Sequence, residues 1–201
     1  MHFDGSEWRH QTETVPQVGA LGGVWGAGPT DVWAVGGVTN PVSGSFPTVL
    51  HYDGSTWTDA SPGLPGGRLL DAWGSGPADV WAVGELGTVL HWDGAWSAVE
   101  VPTSTRLRSV WGTAPDDVWV VGGGSCPSNW PFEEALCDRG IAGRGVVLHF
   151  DGAEWTEFPA PASRELLDVW GTAPDDVWAV GFPGIVLHFD GVVWTRLGWE
   201  P

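Results

Sequence analysis

The chain has 201 residues and a formal net charge of −17, and all eight of its basic residues are Arg. So acidic a balance argues against nucleic acids and anionic membranes as partners, since both need clustered cations. No apolar run approaches the roughly 20 residues of a membrane span, and the 31 Gly and 16 Pro fall at turns rather than in a disordered tract.

The chain opens on Met1-His2-Phe3-Asp4-Gly5 with Trp8 close behind. The same element returns as Leu50-His51-Tyr52-Asp53-Gly54 to Trp57, Leu90-His91-Trp92-Asp93-Gly94 to Trp96, Leu148-His149-Phe150-Asp151-Gly152 to Trp155 and Leu187-His188-Phe189-Asp190-Gly191 to Trp194. Asp-Gly between two apolar runs predicts a hairpin with a type I′ turn. Met1 stands where the other copies carry Leu, so the chain is expected to begin inside a repeat, as a domain cut from a longer protein would.

A second element precedes each later copy. Val24-Trp25-Gly26 leads to Asp31-Val32-Trp33, Trp73-Gly74 to Asp79-Val80-Trp81, Trp111-Gly112 to Asp117-Val118-Trp119 and Trp170-Gly171 to Asp176-Val177-Trp178. Each reads as a strand, a Pro-Asp turn and a second strand. Both strands are apolar without clean alternation, so both faces of the sheet are predicted to be covered.

One unit thus holds four strands, A to D, and the shortest step between opening Trp residues, Trp73 to Trp111, is 38 residues. A period near 40 with four strands per unit predicts the blades of an all-β propeller. Residues 1–14 form a half blade, and complete blades cover 15–59, 60–99, 100–159 and 160–201. These make one domain, four complete repeats plus the half blade, of about five-bladed outline. Extra residues enter at the B–C connections, from Val38 to Pro47 and across 123–145. B–C loops and D–A connections share one face, the top, while A–B and C–D turns share the bottom. Insertions on one face of a repeat array often mark the binding face.

The whole chain resembles β-propeller repeat proteins. Asp53-Gly54-Ser55-Thr56-Trp57 is similar to the Asp-box of bacterial BNR-type repeats, with its Gly one position early. Gly36-Gly37 and Gly122-Gly123 resemble the Kelch glycine doublet, from which Gly84-Glu85 and Gly181-Phe182 depart. Trp-rich five-bladed lectin propellers are similar in size and composition. The resemblance implies the fold and fixes no ligand.

Among residues that could carry chemistry, His2, His51, His91, His149 and His188 sit at equivalent positions round a ring and cannot converge on one metal. They are expected to be half-buried and bonded to a neighbouring blade. Asp31, Asp79, Asp117 and Asp176 are expected to bond backbone amides within their turns. Calcium is the one ion these turns could attract, and each alone offers too few oxygens, so no cofactor is expected.

Arg68, Arg106, Arg108 and Arg164 start strand A at the top face, and Arg139 and Arg144 lie in the long insertion on that face. They point either to an anionic ligand or to local pairing with Asp71, Glu165 and Asp168. Asn129, Trp130 and Phe132 of the insertion serve as a lid's own core or as ligand contacts. Cys126 and Cys137 enclose ten residues there. They are expected to form a disulfide, which places the protein outside the cytosol.

No nucleophile elbow, phosphate loop or His-Glu-x-x-His is present. A glycosidase of sialidase type needs a Tyr nucleophile, and the single Tyr, Tyr52, lies on strand C away from the arginines. The sequence therefore points to a non-catalytic module that binds a glycan, an anionic group or a partner protein at the top face. The rival readings are an assembly module pairing through the strand edges of residues 1–14, as a homo-oligomer would, and a hydrolytic propeller.

Overall fold

The computed structural model describes residues 2–3, 6–9, 16, 19–40, 44–61, 63–124, 144–162 and 164–198. Asn129, Trp130, Phe132, Arg139 and the expected bridge between Cys126 and Cys137 lie outside them. The fold is a β-propeller. Its strands form four four-stranded antiparallel sheets and one two-stranded sheet.

The short sheet pairs β1 (His2–Phe3) with β2 (Trp8–Arg9). Blade 1 comprises β3 (Ala20–Gly28), β4 (Asp31–Asn40), β5 (Gly44–Tyr52) and β6 (Trp57–Asp59). Blade 2 comprises β7 (Leu69–Gly76), β8 (Asp79–Gly84), β9 (Val89–Trp92) and β10 (Trp96–Ala98). Blade 3 holds β11 (Leu107–Ala114), β12 (Asp117–Gly123), β13 (Gly145–Phe150) and β14 (Trp155–Glu157). Blade 4 holds β15 (Leu166–Ala173), β16 (Asp176–Gly181), β17 (Ile185–Phe189) and β18 (Trp194–Leu197).

Blades stack through their first strands, β3 against β7, β7 against β11 and β11 against β15. The absence of alternation in the second strands now has its reason. Trp119 and Val121 face blade 4, where they meet Leu166, Val169 and Val177. Val118 and Val120 face the other way, toward Trp81 and Val83 of blade 2. A strand covered on both faces gains from apolar residues at every position.

Each junction turns on one Trp and one Gly. A β-carbon added at Gly74 would lie 2.8 Å from the ring of Trp25, at Gly112 2.8 Å from Trp73, and at Gly171 2.6 Å from Trp111. The opening Trp of one blade therefore lies flush on the first strand of the next, and only Gly leaves room for it.

Two sequence expectations are corrected here. The C–D hairpins are not type I′, because Gly54, Gly152 and Gly191 adopt positive φ while the Asp before each does not. Their loops hold four residues, with Tyr52 paired to Trp57, Phe150 to Trp155 and Phe189 to Trp194. The Asp carboxylate folds the turn by accepting the next amides but one and but two, Ser55 and Thr56 onto Asp53 at 2.8 Å each. Asp151 and Asp190 repeat this, which is the Asx-turn alternative to a backbone turn. The Val38–Pro47 insertion is likewise not a loop. It lengthens the β4–β5 hairpin, with Val38 paired to Phe46, Thr39 to Ser45 and Asn40 to Gly44.

Gly112→Ala should therefore cost about 1–3 kcal/mol through overpacking against Trp73 and the Asp117 carbonyl, read as a lower urea midpoint at unchanged slope. Gly76→Ala, where an added β-carbon meets nothing within 4 Å, should leave the midpoint unchanged or raise it.

Candidate functional site

The bottom half of each blade is locked by a repeated side-chain unit. His51 Nε2 lies 2.7 Å from Asp31, His91 2.6 Å from Asp79, His149 2.7 Å from Asp117 and His188 2.9 Å from Asp176. Each His also lies over the Trp of strand B, with ring centroids 3.9–4.2 Å apart. The carboxylate's second oxygen accepts a hydroxyl from the residue bulged out of strand A: Ser75 onto Asp79 at 2.6 Å, Thr113 onto Asp117 and Thr172 onto Asp176. Blade 1 has Ala27 at this place and lacks that bond.

Both expectations for these residues change. The His bonds within its own blade rather than to a neighbour, and the Asp is held by side chains rather than by turn amides. The register explains why, since Trp119 pairs opposite His149 and Asp117 lies two positions before Trp119, on the same face of its strand. Asp and His then meet at one end of a single sheet. Burial alone would raise the Asp117 carboxyl, but His149, Thr113 and Trp119 outweigh it and hold the group below the usual carboxylate range. Thr172, His188 and Trp178 do the same for Asp176. Such a carboxylate only accepts, so Nε2 of the paired His carries a hydrogen. Among the described residues no group of three or more His, Cys, Asp or Glu could hold a metal.

A second polar cluster spans three blades at their first strands. Ser109 Oγ lies 2.9 Å from Asp71 and 2.8 Å from Asp168, and the Val110 amide donates to Asp71 at 3.0 Å. The Ser109 hydroxyl has one hydrogen for the two carboxyl groups beside it. Burial raises the Asp71 carboxyl, more than the amides of Val110 and Ala72 and the Ser109 hydroxyl lower it, and Asp168 raises it further. The Trp-minus-two position, Gly23, Asp71, Ser109 and Asp168, was the sequence signal for this cluster. Asp71 and Asp168 were weighed only as partners for Arg.

The top face carries the arginines, and two of them bond between blades. Arg108 Nε donates to Glu165 of blade 4 at 2.7 Å. Arg106 of blade 3 lies 3.5 Å from Glu85 of blade 2, which also accepts from Ser45 of blade 1 at 3.2 Å. Arg144 pairs with Glu157. Arg164 is half-buried just before β15. Arg68 differs: its side chain packs over Gly37, and its buried Nε finds no acceptor among the described residues.

Leu86 carries no signal in the repeat pattern. It has φ +60 in the three-residue turn Glu85–Gly87, the one positive φ at a non-Gly position among the described residues. The turn is fixed on both sides, by Glu85 N–H to Arg68 O at 2.9 Å and Gly87 N–H to Thr105 O at 2.7 Å. Leu86 is 70% exposed. It separates a groove of about 250 Å³, bounded by Glu85, Ser104, Arg106 and Gly124, from one of about 190 Å³, bounded by Pro65, Gly66, Val89 and Val99. The matching turn of blade 4 presents Phe182, 63% exposed, and the lengthened hairpin of blade 1 presents Phe46.

No family model and no curated protein matches the chain. Solved structures do resemble it. A structural-genomics protein of unknown function from Bacteroides thetaiotaomicron is similar over 89% of this chain and 43% of its own, at 13% identity and a TM-score of 0.53. This chain thus spans less than half of that protein. YCF48 bound to a D1 peptide is similar over 90% of this chain and 83% of its own, at 14% identity and a TM-score of 0.39. YCF48 from Cyanidioschyzon merolae is similar over 92% and 74%, at 15% identity and a TM-score of 0.48. At such identities the likeness speaks for the fold and for nothing finer.

The two carboxyl clusters predict opposite responses to pH. Asp117 and Asp176 are depressed in the fold, so their contribution is complete above the unfolded carboxylate value, about 3.9, and is lost as pH falls through the folded one. Asp71 is raised, so its contribution is complete below the unfolded value and is lost as pH rises through the folded one. In denaturant titrations across pH, Asp117→Asn should flatten the acid limb. The wild type's advantage over Asp71→Asn should be largest below about pH 4 and shrink as pH rises.

Proposed function

We propose that this chain is a non-catalytic binding module whose top face takes an extended segment of a partner protein. The observation that supports this is Leu86. A Leu at φ +60 carries a cost of about 1–2 kcal/mol and persists only where its surroundings over-determine it, and such residues cluster at active sites, ligand clamps and switch regions. Here the cost presents an apolar side chain to solvent, where the fold makes no use of it.

The grooves beside Leu86 are smaller than the roughly 300–1,000 Å³ of small-molecule sites. They suit single side chains of a segment lying across blades 2 and 3. Phe46 and Phe182, from the B–C connections of blades 1 and 4, extend the apolar contact, and the Glu85–Arg106 pair borders the groove beside Leu86. Apolar anchors within a charged rim are the usual composition of a protein-binding surface. The hydroxyl, carboxylate and imidazole groups gathered on the bottom are held in bonds to one another, with each hydroxyl donating to the Asp and not to the imidazole, so we assign no catalysis.

A second reading has its own observation in Arg68. Its buried Nε has no acceptor among the described residues, and a guanidinium on this face suits a carboxylate or sulfate, which keeps an acidic peptide or an acidic glycan within this face's reach.

Selection from a displayed peptide library against the chain, followed by calorimetry, tests the proposal. Leu86→Asp combined with Phe182→Asp should weaken selected peptides at least about tenfold, a loss near 1.4 kcal/mol. Leu86→Gly should weaken them too, while leaving the thermal midpoint unchanged or higher because the φ cost is relieved. Peptides that bind the double variant as they bind the wild type place the site elsewhere. A preference for sulfated glycans abolished by Arg68→Ala would favour the second reading.

A further inference from the structure

Five Asp-Gly pairs recur in the chain, and four of them, Asp53-Gly54, Asp93-Gly94, Asp151-Gly152 and Asp190-Gly191, lie among the described residues. The pair is reactive because Gly has no side chain, so its backbone nitrogen can come close to the side-chain carbon of the Asp before it. Three of the four turns block that approach. Asp53 accepts the amides of Ser55 and Thr56 at 2.8 Å each, Asp151 those of Ala153 and Glu154 at 2.9 and 3.0 Å, and Asp190 those of Val192 and Val193 at 3.0 and 2.9 Å. These bonds fix the carboxyl group, and the amides of Thr56, Glu154 and Val193 do most to hold it ionised, below the usual carboxylate range. The Gly that follows is also pressed against its own blade. A β-carbon added at Gly54, Gly152 or Gly191 would lie 2.6 Å from Thr30, 2.7 Å from Asp116 or 2.8 Å from Asp175.

The turn of blade 2 is built differently. Trp96 pairs directly opposite Trp92, so three residues close this hairpin where four close the others. The amide three residues after Asp93 is therefore that of a strand residue, Trp96, and among the described residues no amide donates to the Asp93 carboxylate. Asp93, Gly94 and Ala95 are all exposed, and a β-carbon added at Gly94 meets nothing within 4 Å. The shorter loop has lost both restraints at once.

We propose that Asp93-Gly94 is a modification site at which the chain forms isoaspartate spontaneously, while the fold protects Asp53, Asp151 and Asp190. The Gly94 nitrogen attacks the side-chain carbon of protonated Asp93. A nitrogen–carbon bond forms, the carbon–hydroxyl bond breaks, and the hydroxyl leaves as water with the amide hydrogen. Water then opens the cyclic imide at either carbonyl, restoring Asp or leaving the main chain routed through the former side-chain carbon. Mass and oxidation state are unchanged. The isomer lengthens the backbone of the three-residue loop by a single carbon. That loop sets Trp92 and Trp96, whose rings lie 4.8 and 5.2 Å from Trp33 of blade 1, so the modification acts on the junction of blades 1 and 2. The site lies on the bottom face and is independent of the ligand face proposed above.

The test is prolonged incubation of the 201-residue chain in mildly acidic buffer, followed by peptide mapping with electron-transfer fragmentation, which distinguishes isoaspartate from Asp. Isoaspartate should accumulate at Asp93 at least about tenfold faster than at Asp53, Asp151 or Asp190, where hydrogen bonds to a charged group must first break. In urea, with the fold removed, the four sites should react at similar rates. Inserting Glu between Ala95 and Trp96 gives this hairpin the loop of blade 3, Asp151-Gly152-Ala153-Glu154, and should slow Asp93 to the rate of Asp151. Asp93→Asn closes the same ring with loss of ammonia and should react faster, seen as a rise in intact mass. No isoaspartate at Asp93, equal rates at the four sites in the folded chain, or an inserted loop that leaves Asp93 as reactive as before overturns the proposal. So does a ranking in urea that matches the folded one, since the local sequence and not the turn would then set it.

Discussion

The fold depends on an indole lying against a glycine. Trp25 on Gly74, Trp73 on Gly112 and Trp111 on Gly171 set how closely consecutive first strands approach, and the rest of each junction is built round that spacing. Once the strands are this close, the residue before each opening Trp reaches across into the preceding blade, as Val110 does among Trp81, Val83 and Val89. A side chain at the Gly would hold the sheets apart and leave Val83, Val121 and their equivalents without partners. Protein interiors are packed too tightly to absorb such a gap without loss.

Within each blade a different device holds the strands. Asp117 joins a hydroxyl from strand A, an indole from strand B and an imidazole from strand C, so one carboxylate ties three strands at the bottom. Hydrogen bonds of this kind contribute about 1 kcal/mol each, and more when one partner is charged. The division of labour follows. With the bottom committed to these bonds, the B–C connections at the top are free to vary, from the three-residue turn at Leu86 to the lengthened hairpin at Phe46. Two of the arginines on that face join blades, Arg108 to Glu165 and Arg106 to Glu85.

Much of this was legible in the sequence. The eight-residue spacing of the paired Trp, the doubly apolar strands and the period near 40 identify the propeller, because a sheet buried on both faces leaves a pattern that no single-sided sheet shares. The His and the Asp were legible as repeated positions but not as partners. They are 32 residues apart in blade 3 and 12 in blade 4, and their meeting depends on a register that only the paired sheet defines. The Asp-Gly turns were placed correctly and typed wrongly. The carboxylate's reach to amides two and three residues on competes with the backbone turn, and nothing in the dipeptide itself decides between them.

The sequence by itself determined the repeat, the blade and the order of strands, since these rest on local periodicity and on residue types that suit one backbone geometry. Tertiary structure alone decided what each repeat residue packs against. Val169 is buried against Trp119 and Val121 of the blade before it, a contact between sheets that no stretch of either sheet encodes alone. Leu86 is the sharpest case. An ordinary residue in a short turn, it is held in a left-handed conformation by hydrogen bonds from Glu85 to Arg68 of its own blade and from Gly87 to Thr105 of the next, and no local pattern encodes a constraint imposed from both.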